Sequence, residues 1–217
     1  MSVLILIRHG ETDYVGNRLA GHIPGIHLNL HGRQQAEMLT HRLASYPLTA
    51  IYSSPLERTV DTAEPLARAH KLPIQILPSL TEINVGDWQG KSIPNLRRLS
   101  LWQSVHDDPA RFSFPNGESF TDRQKLICTA LEKLIRAANS RAVIACVSHG
   151  DPIKLRWRIF WDWSLIIFNG SPLIRLQPVS FISPVRVSDW VRSTWWKRYP
   201  STAPNDNALL IDAAGGI

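Results

Sequence analysis

The stretch "LILIRHGET", residues 4–12, decides how the rest of the chain is read. Leu4, Ile5, Leu6 and Ile7 are apolar without alternation, the mark of a strand covered on both faces. The run then stops at Arg8 and His9, so two strongly polar side chains arrive at the carboxyl end of a buried strand. A second stretch, "AVIACVSHGDP" at 142–152, repeats the arrangement and ends in His149 and Gly150, with Asp151 and Pro152 set to cap a following helix.

Between these two stretches the pattern alternates. Residues 13–32 carry Gly16, Gly21, Pro24, Gly25 and Gly32 among polar residues and read as a long irregular loop. Ala36, Leu39 and Leu43 form a helical stripe over 33–44, and 50–52 read as a short strand. "SSPLERTVDTAEPLARA" at 53–69 predicts a helix with Ser54 at the cap, Pro55 first and Glu57 closing a capping box. Leu56, Val60, Ala63 and Ala67 are its expected apolar face. A third strand over 74–77 precedes the loop "TEINVGDWQGKS" at 81–92. Ser119 and Asp122 can cap a long helix that buries Ile127, Ala130, Leu131, Leu134, Ile135 and Ala138. Strands alternating with helices predict an α/β fold with a largely parallel sheet, and such sheets hold ligands at the carboxyl ends of their strands.

The 217 residues suit one domain with a real core. The 24 basic and 18 acidic residues leave a net charge of +6, which favours an anionic partner: a phosphate ester, nucleic acid or an acidic membrane. Cys128 and Cys146 lie in no metal-type spacing and read as buried reduced thiols. No apolar run is long enough to span a bilayer, and the first one lacks the features of a signal peptide, so a cytoplasmic protein is expected. Nothing in the sequence fixes an oligomeric state.

Phosphoryl transfer without a metal needs a nucleophile, fixed positive charge around the phosphate oxygens and an acid for the leaving alcohol. A neutral imidazole can attack phosphorus, and arginine forks match phosphate oxygens while keeping their charge near neutrality. The backbone N–H groups of a helix beginning after Gly150 would add to that charge.

Five words occur in order: "RHGET" at 8–12, "SSPLERTVDTA" at 53–63, "TEINVGDWQG" at 81–90, "NGES" at 116–119 and "VSHGDPIK" at 147–154. Together they make the chain resemble the histidine phosphatase superfamily, the phosphoglycerate mutase-like family. The resemblance implies a three-layer α/β/α fold with a mixed, mainly parallel central sheet, a small phosphorylated substrate and no cofactor or metal. It assigns His9 as the phosphorylated nucleophile, Arg8 and Arg58 as phosphoryl-binding groups, His149 as the second histidine, and Glu82 as the general acid and then base. Gly150 joins the phosphate-binding group. His22, His27, His31, His41, His70 and His106 lack such a context and are expected at the surface or in loops.

The family commonly carries an asparagine six residues after the nucleophile. Here that position is Val15, and Asn17 is the nearest substitute for phosphate contact. Residues 155–176 are atypical. Read from the last base of the Phe160 codon, the codons for Trp161, Asp162, Trp163 and a TCN Ser164 spell Leu-Gly-Leu-Val, which suggests a local frameshift over roughly 156–172. The domain is expected over 1–190, with 177–189 resembling the family's final strands and a disordered tail at 191–217.

The expected activity is hydrolysis of a small phosphomonoester through a phosphohistidine, with no nucleic-acid partner and no membrane span. Two alternatives stand beside it: a phosphoglycerate mutase, or a phosphate-recognition module without turnover. Mutases of the family usually carry a long insertion after the acid-bearing loop, whereas only some thirty residues separate Gly90 from Ser119. Specificity is expected from 13–32 and 91–118, where Arg97, Arg98, Trp102 and Arg111 can face substrate or solvent.

Overall fold

A computed structural model describes residues 2–155, together with the backbone of 164–167 and 174–175. The suspected frameshift falls largely, and the expected final strands and tail wholly, outside these residues.

β1 (Val3–Arg8) is the apolar run of the opening stretch. It lies parallel to β4 (Val143–Ser148), with Arg8 opposite Ser148. β2 (Ala50–Ser53) joins the other side of β4, and β3 (Ile74–Ile76) follows in parallel. On the far side of β1 come β5 (Ser164–Ile167), parallel, and β6 (Ile174–Arg175), antiparallel. Among the described residues the sheet order is β3-β2-β4-β1-β5-β6, mixed and mainly parallel as expected.

Side chains alternate across this sheet. Ile5, Ile7, Ala145 and Val147 face α1 (Leu30–Leu43) and α2 (Glu57–His70), meeting Leu39, Leu43, Ala63 and Leu66. Their neighbours Leu4, Leu6, Ile144 and Cys146 face the other side. There they meet Ile127, Cys128 and Leu131 of α5 (Phe120–Ala137) and Ile153 of α6 (Gly150–Leu155). Two opposed apolar layers explain why β1 shows no alternation in the sequence. Each fully buried Leu or Ile there contributes about 1.5–3 kcal/mol.

The segment 91–118 folds into α3 (Ile93–Leu96) and α4 (Ser100–Asp107). It encloses a third cluster, in which Trp102 stacks on Trp88 at 5.6 Å and Phe112, Phe114 and Phe120 pack around them. Trp102 is therefore core and faces neither substrate nor solvent. His106 is also buried, edge-on to Trp102, rather than at the surface.

Helix starts differ from expectation at three places. α1 begins at Leu30 rather than at 33, capped by Asn29, whose side chain accepts from Gly32 N at 2.8 Å. α2 begins at Glu57 with no side-chain cap, and its buried face includes Arg58, Thr59, Thr62 and Leu66 besides Ala63 and Ala67; Leu56 and Val60 are only partly buried. α6 starts at Gly150 itself, so Asp151 lies inside its first turn rather than capping it. Ser119 does cap α5, accepting from Asp122 N at 3.0 Å.

Candidate active site

The carboxyl ends of the adjacent strands β2, β4 and β1 converge. His9 N continues the ladder to Ser148 O at 3.0 Å, and Ser54 N does so to Val147 O at 3.0 Å. His9 and His149 thus leave neighbouring strands side by side, their rings edge to face with centroids 5.2 Å apart.

His9 Nδ1 lies 2.6 Å from Gly10 O. A carbonyl only accepts, so this nitrogen carries the proton and the lone pair of the neutral ring is on Nε2. Gly10 N donates to Thr62 Oγ1 at 3.0 Å, which in turn donates to Arg58 O at 2.7 Å, tying the end of β1 to α2.

His149 is fully buried, and its Nε2 pairs with Ser54 Oγ at 2.9 Å. Burial is the main reason its pKa falls well below the ordinary histidine value; the basic groups Arg58, His9, His22 and Arg8 nearby act in the same direction. The ring is neutral at physiological pH. Ser54 was expected to cap α2; its hydroxyl instead serves His149, with only a 3.3 Å contact from Leu56 N.

Arg58 is 1% exposed and donates through Nη2 to Gly21 O at 2.8 Å. Its Nε and Nη1 find no acceptor among the described residues. Desolvation lowers its pKa, opposed by the carboxylates of Glu82 and Glu57, yet an arginine stays charged near neutrality. The charge is desolvated and aimed into the cleft.

That cleft is lined by His9, Arg58 and Glu82, with Thr12, Tyr14, Arg18, Val85 and Asp151 among the residues around them. Glu82 is half-buried, and its Oε1 accepts from Ile83 N at 3.0 Å. His22, in a loop as expected, donates from Nε2 to Glu82 O. Arg8, at the end of β1, is half-buried and acts electrostatically on His149. Asn17 is exposed, donates to Asp13 O at 3.3 Å and does not line the cleft. Gly150 is buried and, like Arg8 and His149, is not among the residues that line the cleft.

Sequence reasoning missed Ser54, His22, Thr62, Arg18 and Asp151 as parts of this site. Ser54 and Thr62 lie inside the quoted word at 53–63, a signal that was available. The roles of His22 and Arg18 depend on contacts with the distant 82–90 segment.

Two imidazoles, a desolvated arginine and a carboxylate stand together at the carboxyl edge of a mainly parallel sheet, in an α/β protein with its polar groups gathered where such sheets hold ligands. The chain belongs to the histidine phosphatase superfamily (branch 1), whose family model matches residues 4–177. It is 29% identical over 159 residues to phosphoserine phosphatase 1 of Hydrogenobacter thermophilus, spanning 71% of this chain and 74% of that one. It is 32% identical over 164 residues to glucosyl-3-phosphoglycerate phosphatase of Mycolicibacterium vanbaalenii, spanning 69% and 70% of the two chains. Among solved structures, Bacillus stearothermophilus YhfR superposes with a TM-score of 0.69 at 31% identity, covering 75% of this chain and 81% of the other.

Proposed function

We propose that this protein is a phosphatase that hydrolyses a small phosphomonoester through a phosphohistidine on His9, without a metal. The observation that carries the reading is the Nδ1 bond from His9 to Gly10 O, which fixes the neutral ring's lone pair on Nε2 in a residue that lines a cleft with Arg58 and Glu82.

Arg8 and Arg58 bind the phosphoryl oxygens. His9 Nε2 attacks phosphorus as the ester P–O bond breaks, and the leaving oxygen takes a proton from the Glu82 carboxyl group. The Glu82 carboxylate then removes a proton from water, whose oxygen displaces His9 from phosphorus and releases inorganic phosphate. His149, neutral, donates a hydrogen bond to the transferring group, which gains negative charge on its equatorial oxygens. The relatives' names, phosphoserine and glucosyl-3-phosphoglycerate phosphatase, favour a small phosphorylated metabolite as substrate. Buried Cys128 and Cys146 suit a reducing cytoplasm. Asn17 is given no role.

The test is release of phosphate from p-nitrophenyl phosphate in the presence of a chelator, with His9→Ala alongside and a search for an acid-labile phosphoenzyme. Turnover and labelling by the wild type, both lost in His9→Ala, are expected. Absence of turnover by the wild type would overturn the reading in favour of a recognition module. Isomerisation of 3-phosphoglycerate without hydrolysis would make the protein a mutase.

A further inference from the structure

The word "NGES" at 116–119 lies outside the cleft, and the chemistry above makes no use of it. Asn116, Gly117 and Glu118 each meet the loop that carries Glu82. Asn116, at φ 54°, donates its side-chain amide to the Asp87 carboxylate at 3.1 and 3.3 Å. A Cβ on Gly117 would lie 2.4 Å from Asn84 O and 2.8 Å from Gly86 N, so only glycine lets the two segments approach.

Glu118 takes both backbone groups of Asn84. Its N–H donates to Asn84 O at 2.8 Å, and its Oε2 accepts from Asn84 N at 3.0 Å. Arg123, on the first turns of α5, grips the same carboxylate with Nε at 2.9 Å from Oε2 and Nη2 on Oε1, while Nη1 donates to Thr81 O at 3.4 Å. The Arg123 side chain is 3% exposed and that of Glu118 32%. One largely buried ion pair therefore pins the backbone at Thr81 and at Asn84, on both sides of Glu82. Because Glu82 Oε1 is held by the next N–H in the chain, the direction of its carboxylate follows the backbone that this pair fixes.

We propose that the Glu118–Arg123 pair is the positioning device of the general acid: it touches no substrate and sets where the Glu82 carboxyl group stands relative to the leaving oxygen. This rests on the reading of Glu82 as the acid. A misplacement of about 1 Å at a proton-transfer group can cost on the order of 10²-fold in rate, so a pair that clamps both flanks has a kinetic signature of its own.

The signature is leaving-group dependence. p-Nitrophenolate departs without a proton at neutral pH, whereas phenolate from phenyl phosphate leaves poorly unless protonated. The ratio of kcat/KM for the two esters isolates the step in which the ester bond breaks, before any water attack. In the full-length protein, Glu82→Gln is expected to lower kcat/KM for phenyl phosphate at least about tenfold more than for p-nitrophenyl phosphate. Glu118→Gln and Arg123→Lys are expected to shift the ratio in the same direction by at least about threefold, a fraction of the acid's contribution. Arg123→Lys keeps the positive charge but loses the fork, and it carries the test if Glu118→Gln does not fold.

Equal losses on both esters in a folded variant mean a merely structural role and overturn the positioning proposal alone, provided Glu82→Gln still discriminates. If Glu82→Gln treats the two esters alike, the acid assignment fails and the proposal fails with it.

Discussion

At the scale of single residues, the bond between Ser54 and His149 decides what the second histidine can do. A neutral imidazole has one N–H. A Ser54 hydroxyl that accepts from Leu56 N can give its own proton to His149 Nε2, and the imidazole proton then stands on Nδ1. Nδ1 is buried and finds no partner among the described residues, and in the proposed reaction it is the donor to a phosphoryl oxygen. Ser54→Ala removes the group that selects this tautomer. The expected result is a roughly tenfold or larger fall in kcat/KM and a population of the other tautomer in nitrogen-detected imidazole spectra, with a stability loss of about 1–3 kcal/mol from the unpaired ring nitrogen. The depressed pKa of His149 has a second consequence. Below the ordinary value of about 6.5, unfolded His149 binds a proton that folded His149 refuses, so stability is complete above that pH and falls as pH drops toward the folded pKa. Urea unfolding between about pH 7.5 and pH 5.5 should show a slope of at most about 1.4 kcal/mol per pH unit from this group. His149→Asn should flatten the slope; an unchanged one would assign the acid sensitivity to another group.

At the scale of elements, the strands were legible where burial on two faces writes an uninterrupted apolar run, as in β1 and β4. β5 was not read as a strand, because its four residues lie beside a tryptophan-rich segment with no clear period. The boundary errors have a physical cause in common. Gly32 was taken as loop punctuation, yet it sits inside α1, where a Cβ would come within 2.1 Å of Glu11 O and 2.7 Å of Glu11 N. That glycine allows a close approach of the helix to the loop that follows His9, which tertiary contact alone reveals. Ser54 was given to a capping box for the same reason: propensity names a residue's local partner, and the site overrides it. The two glycine roles separate experimentally. Gly25 has φ +73° with nothing nearby, so Gly25→Ala should cost about 1 kcal/mol from backbone strain alone. Gly32→Ala must push backbone away from backbone and should cost more than the about 1–3 kcal/mol of ordinary overpacking, with activity falling in parallel, as read by urea midpoints and phosphate release.

At the scale of the whole molecule, the fold draws its cationic centre from the end of β1 and the first turn of α2, and buries it against β4. Concentrating that charge opposes stability. Arg58 is nearly inaccessible, with two guanidinium nitrogens lacking acceptors among the described residues, so its desolvation is only partly offset by the carboxylates of Glu57 and Glu82. Replacing a whole buried ion pair by apolar side chains is often neutral or stabilising, whereas removing one partner is costly when the other is left as a buried charge. Both carboxylates are only half-buried, and although Glu57 Oε2 is enclosed its Oε1 keeps the Gly25 N–H, so the charge left behind is only partly desolvated. Arg58→Met is therefore expected to unfold at the same or a higher urea concentration than the wild type while losing on the order of a hundredfold in kcat/KM. Inorganic phosphate supplies the complementary readout. Added at about a hundred times its Kd, it should stabilise the wild type by about 2.7 kcal/mol, since it binds the folded state alone. Arg58→Met should show a small fraction of that gain at the same phosphate concentration. Equal gains in the two proteins would place the bound anion elsewhere on a surface whose chain carries a net charge of +6, and would remove Arg58 from the phosphoryl site.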